Sequence, residues 1–192
     1  MSLVLSLLSG NQALDPGSTP TFVAIKNTSN VGTAATGVTA VEYGDGYNHH
    51  TILTVSTTLP AIAGGANLGV GKLMYTFPAG ANVVTSAYMS MAITQTQGNI
   101  NADTPDVGLG TTIASGVVAL LSGTAAFENI VTGQTAANCT GTATVVNVSP
   151  LFDMRVGDDH TLYFNVADGW AASGDAAALL TGTIVLDWQF MA

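Results

Sequence analysis

Charge is what this chain has least of. Asp, Glu, Lys and Arg make up 8% of its 192 residues, where an average soluble domain carries about 25%. Basic residues are the scarcest: Lys26, Lys72 and Arg155 stand against 12 acids, for a net charge of −9. Phosphate recognition needs clustered Lys and Arg, because each neutralised phosphate releases counterions. Three scattered cations therefore exclude a nucleic-acid partner. The same shortage excludes docking on an anionic membrane surface. The solvated surface must be built largely from Thr, Ser, Asn, Gln and Gly. Covering such a surface with another protein freezes few long side chains and strips water from few charges. It reads as a surface made for contact.

Cysteine is almost absent. Cys139 stands alone, so no disulfide staples the chain, and no basic neighbour lowers its pKa. It reads as a small half-buried side chain. Long apolar runs are missing too. Met1–Leu8 begins apolar, but it lacks a basic leader and breaks at Ser9-Gly10-Asn11, so it does not read as a signal peptide. No stretch approaches the ~18 apolar residues that a spanning helix needs. Apolar residues nevertheless make up 47%. A chain of this length buries roughly 70% of the surface it exposes when unfolded, enough for a core without metal or disulfide.

Helical periodicity is scarce, and what remains is period-2 alternation. Residues 1–30 read as an extended N-terminal arm of two short strands, one carrying Leu3, Leu5, Leu7 and Leu8 and one around Phe22, with a dense turn at Asp15–Pro20 between them. Residues 31–192 read as a single β-sandwich domain. Its start is a loop with one short strand near Val38–Val41 and turn chemistry at Tyr43-Gly44-Asp45-Gly46. Strands follow around Leu53 and Val55, and then around Leu73, Tyr75 and Phe77. A long strand places Val83, Thr85, Ala87, Met89, Met91 and Ile93 on one face. Others fall at Asp106–Leu109, at Ala143–Val148, along Leu162, Phe164 and Val166, and along Ile184, Leu186, Trp188 and Phe190. Thr124–Val131 is the best helix candidate, one or two turns long. Eight to ten strands with almost no helix predict an all-β chain, a jelly-roll-like sandwich with an N-terminal arm.

Chemical motifs are few. Gly69-Val70-Gly71-Lys72 resembles the end of a phosphate loop, but Ala66 and Leu73 break the pattern and a strand follows it. His49 and His50 are adjacent on a strand, so they point to opposite faces and do not share a metal. His160 follows Asp158-Asp159, a carboxylate pair within its reach, yet no nucleophile turn accompanies it. The loop carboxylates Asp103, Asp106, Asp158 and Asp159 lack calcium-loop spacing. These readings assign no catalytic residue, no metal and no cofactor. Tyr43, Tyr47 and Trp170 are the aromatic candidates for a contact or sugar-stacking surface.

Five segments, taken in order, resemble small β-rich structural proteins of tailed bacteriophages. They are Gly71-Lys-Leu-Met-Tyr-Thr-Phe-Pro-Ala-Gly80, Thr104-Pro-Asp-Val-Gly-Leu-Gly-Thr-Thr112, Phe127-Glu-Asn-Ile-Val-Thr-Gly-Gln134, Leu162-Tyr-Phe-Asn-Val-Ala-Asp-Gly-Trp170 and Thr181-Gly-Thr-Ile-Val-Leu-Asp-Trp188. The likeness spans about residues 69–190 and rests on turn and strand signatures; residues 1–48 lie outside it. It implies a non-catalytic virion component, above all a head decoration (cement) protein. Such a protein is a β-rich cap, often trimeric, bound to the major capsid protein on the capsid exterior after assembly in the host cytoplasm. A receptor- or glycan-binding domain of a tail or appendage, and a tail or head-joining protein, are the alternatives. The resemblance carries no site residues with it. The interface candidates come from the residues themselves: Leu3, Leu5, Leu7, Leu8, Phe22, Tyr43, Tyr47 and Trp170.

Overall fold

A computed structural model describes residues 26, 29–61, 68–94, 105–116, 118, 120–122, 126–135, 143–148, 154–156, 160–167 and 177–191, with backbone only for 133–135, 143–148 and 154–156. The described chain is all β. In order the strands are β1 (Thr33–Ala34), β2 (Val38–Gly44), β3 (Asn48–Leu59), β4 (Val70–Thr76), β5 (Ala81–Thr94), β6 (Asp106–Gly110), β7 (Val131–Thr135), β8 (Ala143–Val148), β9 (Met154–Val156), β10 (Thr161–Ala167) and β11 (Ala178–Met191). They form two antiparallel sheets. One runs β1-β4-β10-β6-β7. The other runs β2-β3-β11-β5-β8, with β9 pairing on β5 beyond β8.

The pairing is nested. β3 pairs with β11, β4 with β10, β5 with β8, and β6 with β7. From β3 to β6, and again from β9 to β11, successive strands cross from one sheet to the other, so the core fills from both sides at once. Leu53, Val55, Met89, Met91, Ile93, Ile184 and Leu186 of the long-stranded sheet face Met74, Tyr75, Val107, Leu109, Leu162, Phe164 and Val166 of its partner in one buried cluster. Each alternating strand gives one face to this core, as period 2 requires. The expected β-sandwich is present.

Local departures have physical causes. β5 was expected to keep one phase from Val83 to Ile93. Instead Asp187 pairs with Ser86 and Trp188 with Val84, which leaves Thr85 as the extra residue of a bulge. Val84 is fully buried, and the inward phase resumes at Ala87. A bulge of this kind flips side-chain alternation while the ladder continues. The helix expected at Thr124–Val131 does not form among its described residues. Residues 126–130 are turns and bends, and β7 begins at Val131. Their backbone is already committed: the Ala126 carbonyl accepts from the Thr112 amide (3.1 Å), and the Ile130 amide donates to the Leu109 carbonyl (2.9 Å). Asn165 Nδ2 donates to the Phe127 carbonyl (2.7 Å). Gly110 permits the approach, since a Cβ there would lie 2.3 Å from the Ala126 carbonyl oxygen. The 30–48 region is more regular than expected, with β1 and a β2 that runs on to Gly44.

The two outer faces differ. Over the five-stranded sheet, Ala114, Leu121, Phe127 and Ala167 make a second buried cluster, joined by Val118. Asn165 sits in the same layer, fully buried, and accepts from the Ala114 amide through Oδ1 (2.8 Å). Ala114, Val118, Leu121 and Phe127 thus cover that face. On the long-stranded sheet the described outward side chains of β2, β3, β11 and β5 are exposed or half-exposed.

Candidate functional site: the open face of the long-stranded sheet

The open face is assembled row by row from strand register. Tyr43 lies opposite His50, His50 opposite Asp187, and Asp187 opposite Ser86. The next outward row is Val41, Ile52, Val185 and Tyr88, each opposite the next. Beyond it come Thr39, Thr54, Thr183 and Ser90, then Ser56, Thr181 and Ala92. Directly opposed side chains on one face stand about 4.5–5.5 Å apart at Cβ, so the second row is a continuous apolar ridge across four strands. The rest is hydroxyl-rich. Among the described residues, the one acid on this face is Asp187, which pairs with His50.

That pair lies at one end of the face. His50 Nδ1 is 2.7 Å from Asp187 Oδ1, and both side chains are about half exposed. Ser86 Oγ donates to the other carboxylate oxygen (2.6 Å), and Thr85 Oγ1 donates to the Asp187 carbonyl (3.1 Å). Partial burial pushes the Asp187 pKa up, but the Ser86 and His50 hydrogen bonds outweigh it and hold the carboxyl below its ordinary value. Serine, carboxylate and imidazole are all present, yet in an order that activates nothing. The carboxylate stands between the other two, so the imidazole does not reach the hydroxyl proton that a base must take. A shallow cleft of about 380 Å³ opens here, lined by Tyr43, Asn48, His50, Thr85, Asp187 and Gln189 among others.

Beneath the pair lies a buried polar chain. His49 points inward, opposite to His50, as strand alternation dictates. It is stacked on Trp188 at 3.8 Å between ring centroids. Trp188 Nε1 donates to Thr51 Oγ1 (2.8 Å), which donates to Glu42 Oε1 (2.9 Å). Tyr75, from the opposite sheet, donates its hydroxyl to the same carboxylate oxygen. The Gly32 amide in turn donates to Tyr75 Oη (2.7 Å). Burial, and then the Glu42 carboxylate, push the Tyr75 phenol well above its ordinary value, so it remains a donor. Phe77 meets both Tyr75 and Trp188 edge-on at 5.2 Å. This network ties the open face to the far sheet.

Of the aromatic candidates from sequence, Tyr43 reaches the cleft, its ring 6.4 Å from His50. Tyr47 does not line it. It projects from the β2–β3 turn with 63% of its surface exposed, while its amide and that of Asn48 donate to Asp45 Oδ1 (3.0 and 2.8 Å). The amides of Asn48 and Tyr47 hold the Asp45 pKa down. His160 meets Asn82 at 3.3 Å. Leu3, Leu5, Leu7, Leu8, Phe22, Trp170, Cys139 and the Asp158-Asp159 pair lie outside the described residues. Lys26, at the root of the expected arm, forms a single antiparallel bridge with Tyr43 on the β2 edge. Among the described residues no three His, Cys, Asp or Glu side chains gather as a metal set.

Sequence reasoning missed Asp187, Ser86 and the Val41–Tyr88 ridge. The alternation of each strand marked these side chains as outward, but only strand order shows which outward residues become neighbours. The chain matches no protein family, no curated protein and no solved structure.

Proposed function

We propose that this chain is a non-catalytic structural component of a phage virion, a decoration (cement) protein that binds the major capsid protein on the outside of the head and reinforces the shell. The observation that carries the reading is the open face of β2-β3-β11-β5: broad, hydroxyl-rich and crossed by an apolar ridge. Such a face loses little side-chain entropy and desolvates few charges when another protein covers it. The nested pairing of β3 with β11 through β6 with β7 supports the finer reading of the sandwich as a jelly roll, an architecture used for capsid and lectin domains. The phage resemblance over residues 69–190 points the same way.

The protein acts as a homo-oligomer, a trimer as the resemblance implies. Its apolar arm, carrying Leu3, Leu5, Leu7 and Leu8, adds a strand to a neighbour's open sheet edge. Bridging adjacent capsomers adds buried contacts that must break before the shell ruptures. At ~25 cal/mol per Å² of apolar area, less the cost of association, modest affinity per copy suffices because many copies act together. The test is to mix the purified protein with expanded shells that lack it. Stoichiometric binding and a higher rupture temperature are expected; no binding sinks the proposal.

One observation favours a second reading. The cleft beside His50–Asp187 joins an aromatic ring, amides and a carboxylate, groups that recognise sugar hydroxyls. An appendage domain that binds glycans through this cleft would show on a glycan array a signal that Tyr43→Ala abolishes.

A further inference from the structure

We propose that the apolar ridge of Val41, Ile52, Val185 and Tyr88 is the contact between copies of this chain. This rests on the reading of the protein as a homo-oligomer and names the surface that makes it one.

Three observations converge. The first is asymmetry. The outer face of the five-stranded sheet is covered by its own chain, with Ala114, Leu121 and Phe127 buried against it. Among the described residues none packs over the ridge on the other sheet, and Val41 is 38% exposed on the edge strand.

The second is area. β3 has 12 residues. At ~3.3 Å rise per residue, and with four strands ~4.8 Å apart, the face measures roughly 750 Å². A standard protein interface takes about 800 Å² from each partner. The face is therefore of the size that a specific contact requires, with an apolar centre and a polar surround.

The third is charge. Copies bearing −9 each repel one another wherever like charges meet. A contact between copies must use a part of the surface poor in acids. Among the described outward residues of β2, β3, β11 and β5, Asp187 is the one acid, and its carboxylate is held by Ser86 and His50. Val41, Ile52 and Val185 are β-branched, stiff and similar in height, and such side chains pack between facing sheets with little loss of rotamer freedom.

The experiment measures the mass of the intact protein in solution by sedimentation or light scattering. The substitutions are Val185→Asp at the centre of the ridge, Val41→Asp at its edge and Leu120→Asp as a control. Leu120 is 54% exposed and lies off this face. Near-ultraviolet circular dichroism establishes that each variant is folded. Val41→Asp, on the edge strand, keeps the test decisive if Val185→Asp does not fold. We expect an oligomer for the parent and for Leu120→Asp, and a folded monomer for the ridge variants. A monomeric parent overturns the inference, and so do ridge variants that keep the parent's mass. Shell binding, measured in parallel, separates this result from the decoration reading. Ridge variants that stay oligomeric but no longer bind shells would make the capsid protein the occupant of the ridge and overturn the inference alone. Monomeric ridge variants of a protein that binds no shell would support the self-contact while removing the decoration role.

Discussion

Tyr75 does three things with one hydroxyl. It donates to Glu42, accepts from the Gly32 amide and, through its position on β4, links the two sheets. Tyr75→Phe keeps the ring and its edge-on contact with Phe77 but takes a partner from the half-buried Gly32 amide and leaves Glu42 Oε1 with Thr51 alone. Unsatisfied buried groups cost about 1–3 kcal/mol each, so chemical denaturation should show a loss in that range at unchanged fold. The phenol also gives a pH signature. Its folded pKa lies above the ordinary 10.0, so the neutral form is favoured in the folded state. The resulting stability is fully present below pH 10 and declines at higher pH, as the unfolded chain alone releases its proton. Thermal midpoints measured through this alkaline range should fall for the parent and fall less steeply for Tyr75→Phe. Asp187 works in the opposite sense. Its folded pKa is depressed by Ser86 and His50, so its contribution is present above the ordinary carboxyl value and lost as pH drops through the folded value. Asp187→Asn should flatten the acid limb of the stability profile. The effect will be small, because the pair is half exposed to screening solvent.

At the scale of elements, the segment that covers the five-stranded sheet hangs on Asn165. Its amide accepts from Ala114 and donates to the carbonyls of Thr112 and Phe127. Three net hydrogen bonds at about 1 kcal/mol each make Asn165→Ala a loss of roughly 2–4 kcal/mol. Hydrogen exchange should locate the loosening in residues 111–116 and 126–130 before the β3–β11 ladder is touched. The same segment shows where sequence reading stops. The strands along Leu162, Phe164 and Val166 and along Ile184, Leu186 and Trp188 were legible, because one buried face writes period 2 into the residues. Phe127–Ile130 carries apolar spacing that suits a helical turn as well. What decides against the helix is hydrogen bonding to Thr112, Leu109 and Asn165, partners 14–38 positions away that local spacing does not encode. The Thr85 bulge escaped for a related reason: a phase change inside β5 exists only relative to β11. The open face was legible as a composition, hydroxyls in place of charges, and not as a ridge.

At the scale of the whole molecule, the net charge of −9 governs how closely copies can crowd. At about 10 mM salt the Debye length is ~30 Å, and at about 500 mM it is only a few Å. Copies packed side by side on a shell therefore bind more weakly at the lower concentration, and titrations at the two salt levels should differ in that direction. Equal binding would count against close packing of acidic surfaces. The self-contact on the ridge and the contact with the shell are separate demands on one small domain.

Binding to the shell is the claim on which the functional account turns. The direct measurement combines purified protein with expanded shells lacking it, counts copies per particle by mass, and follows rupture on heating. We predict saturable binding at a fixed number of copies per capsomer, with rupture moved to higher temperature. Shells that remain bare at saturating protein, or that bind it and rupture at the same temperature as undecorated ones, would contradict the account.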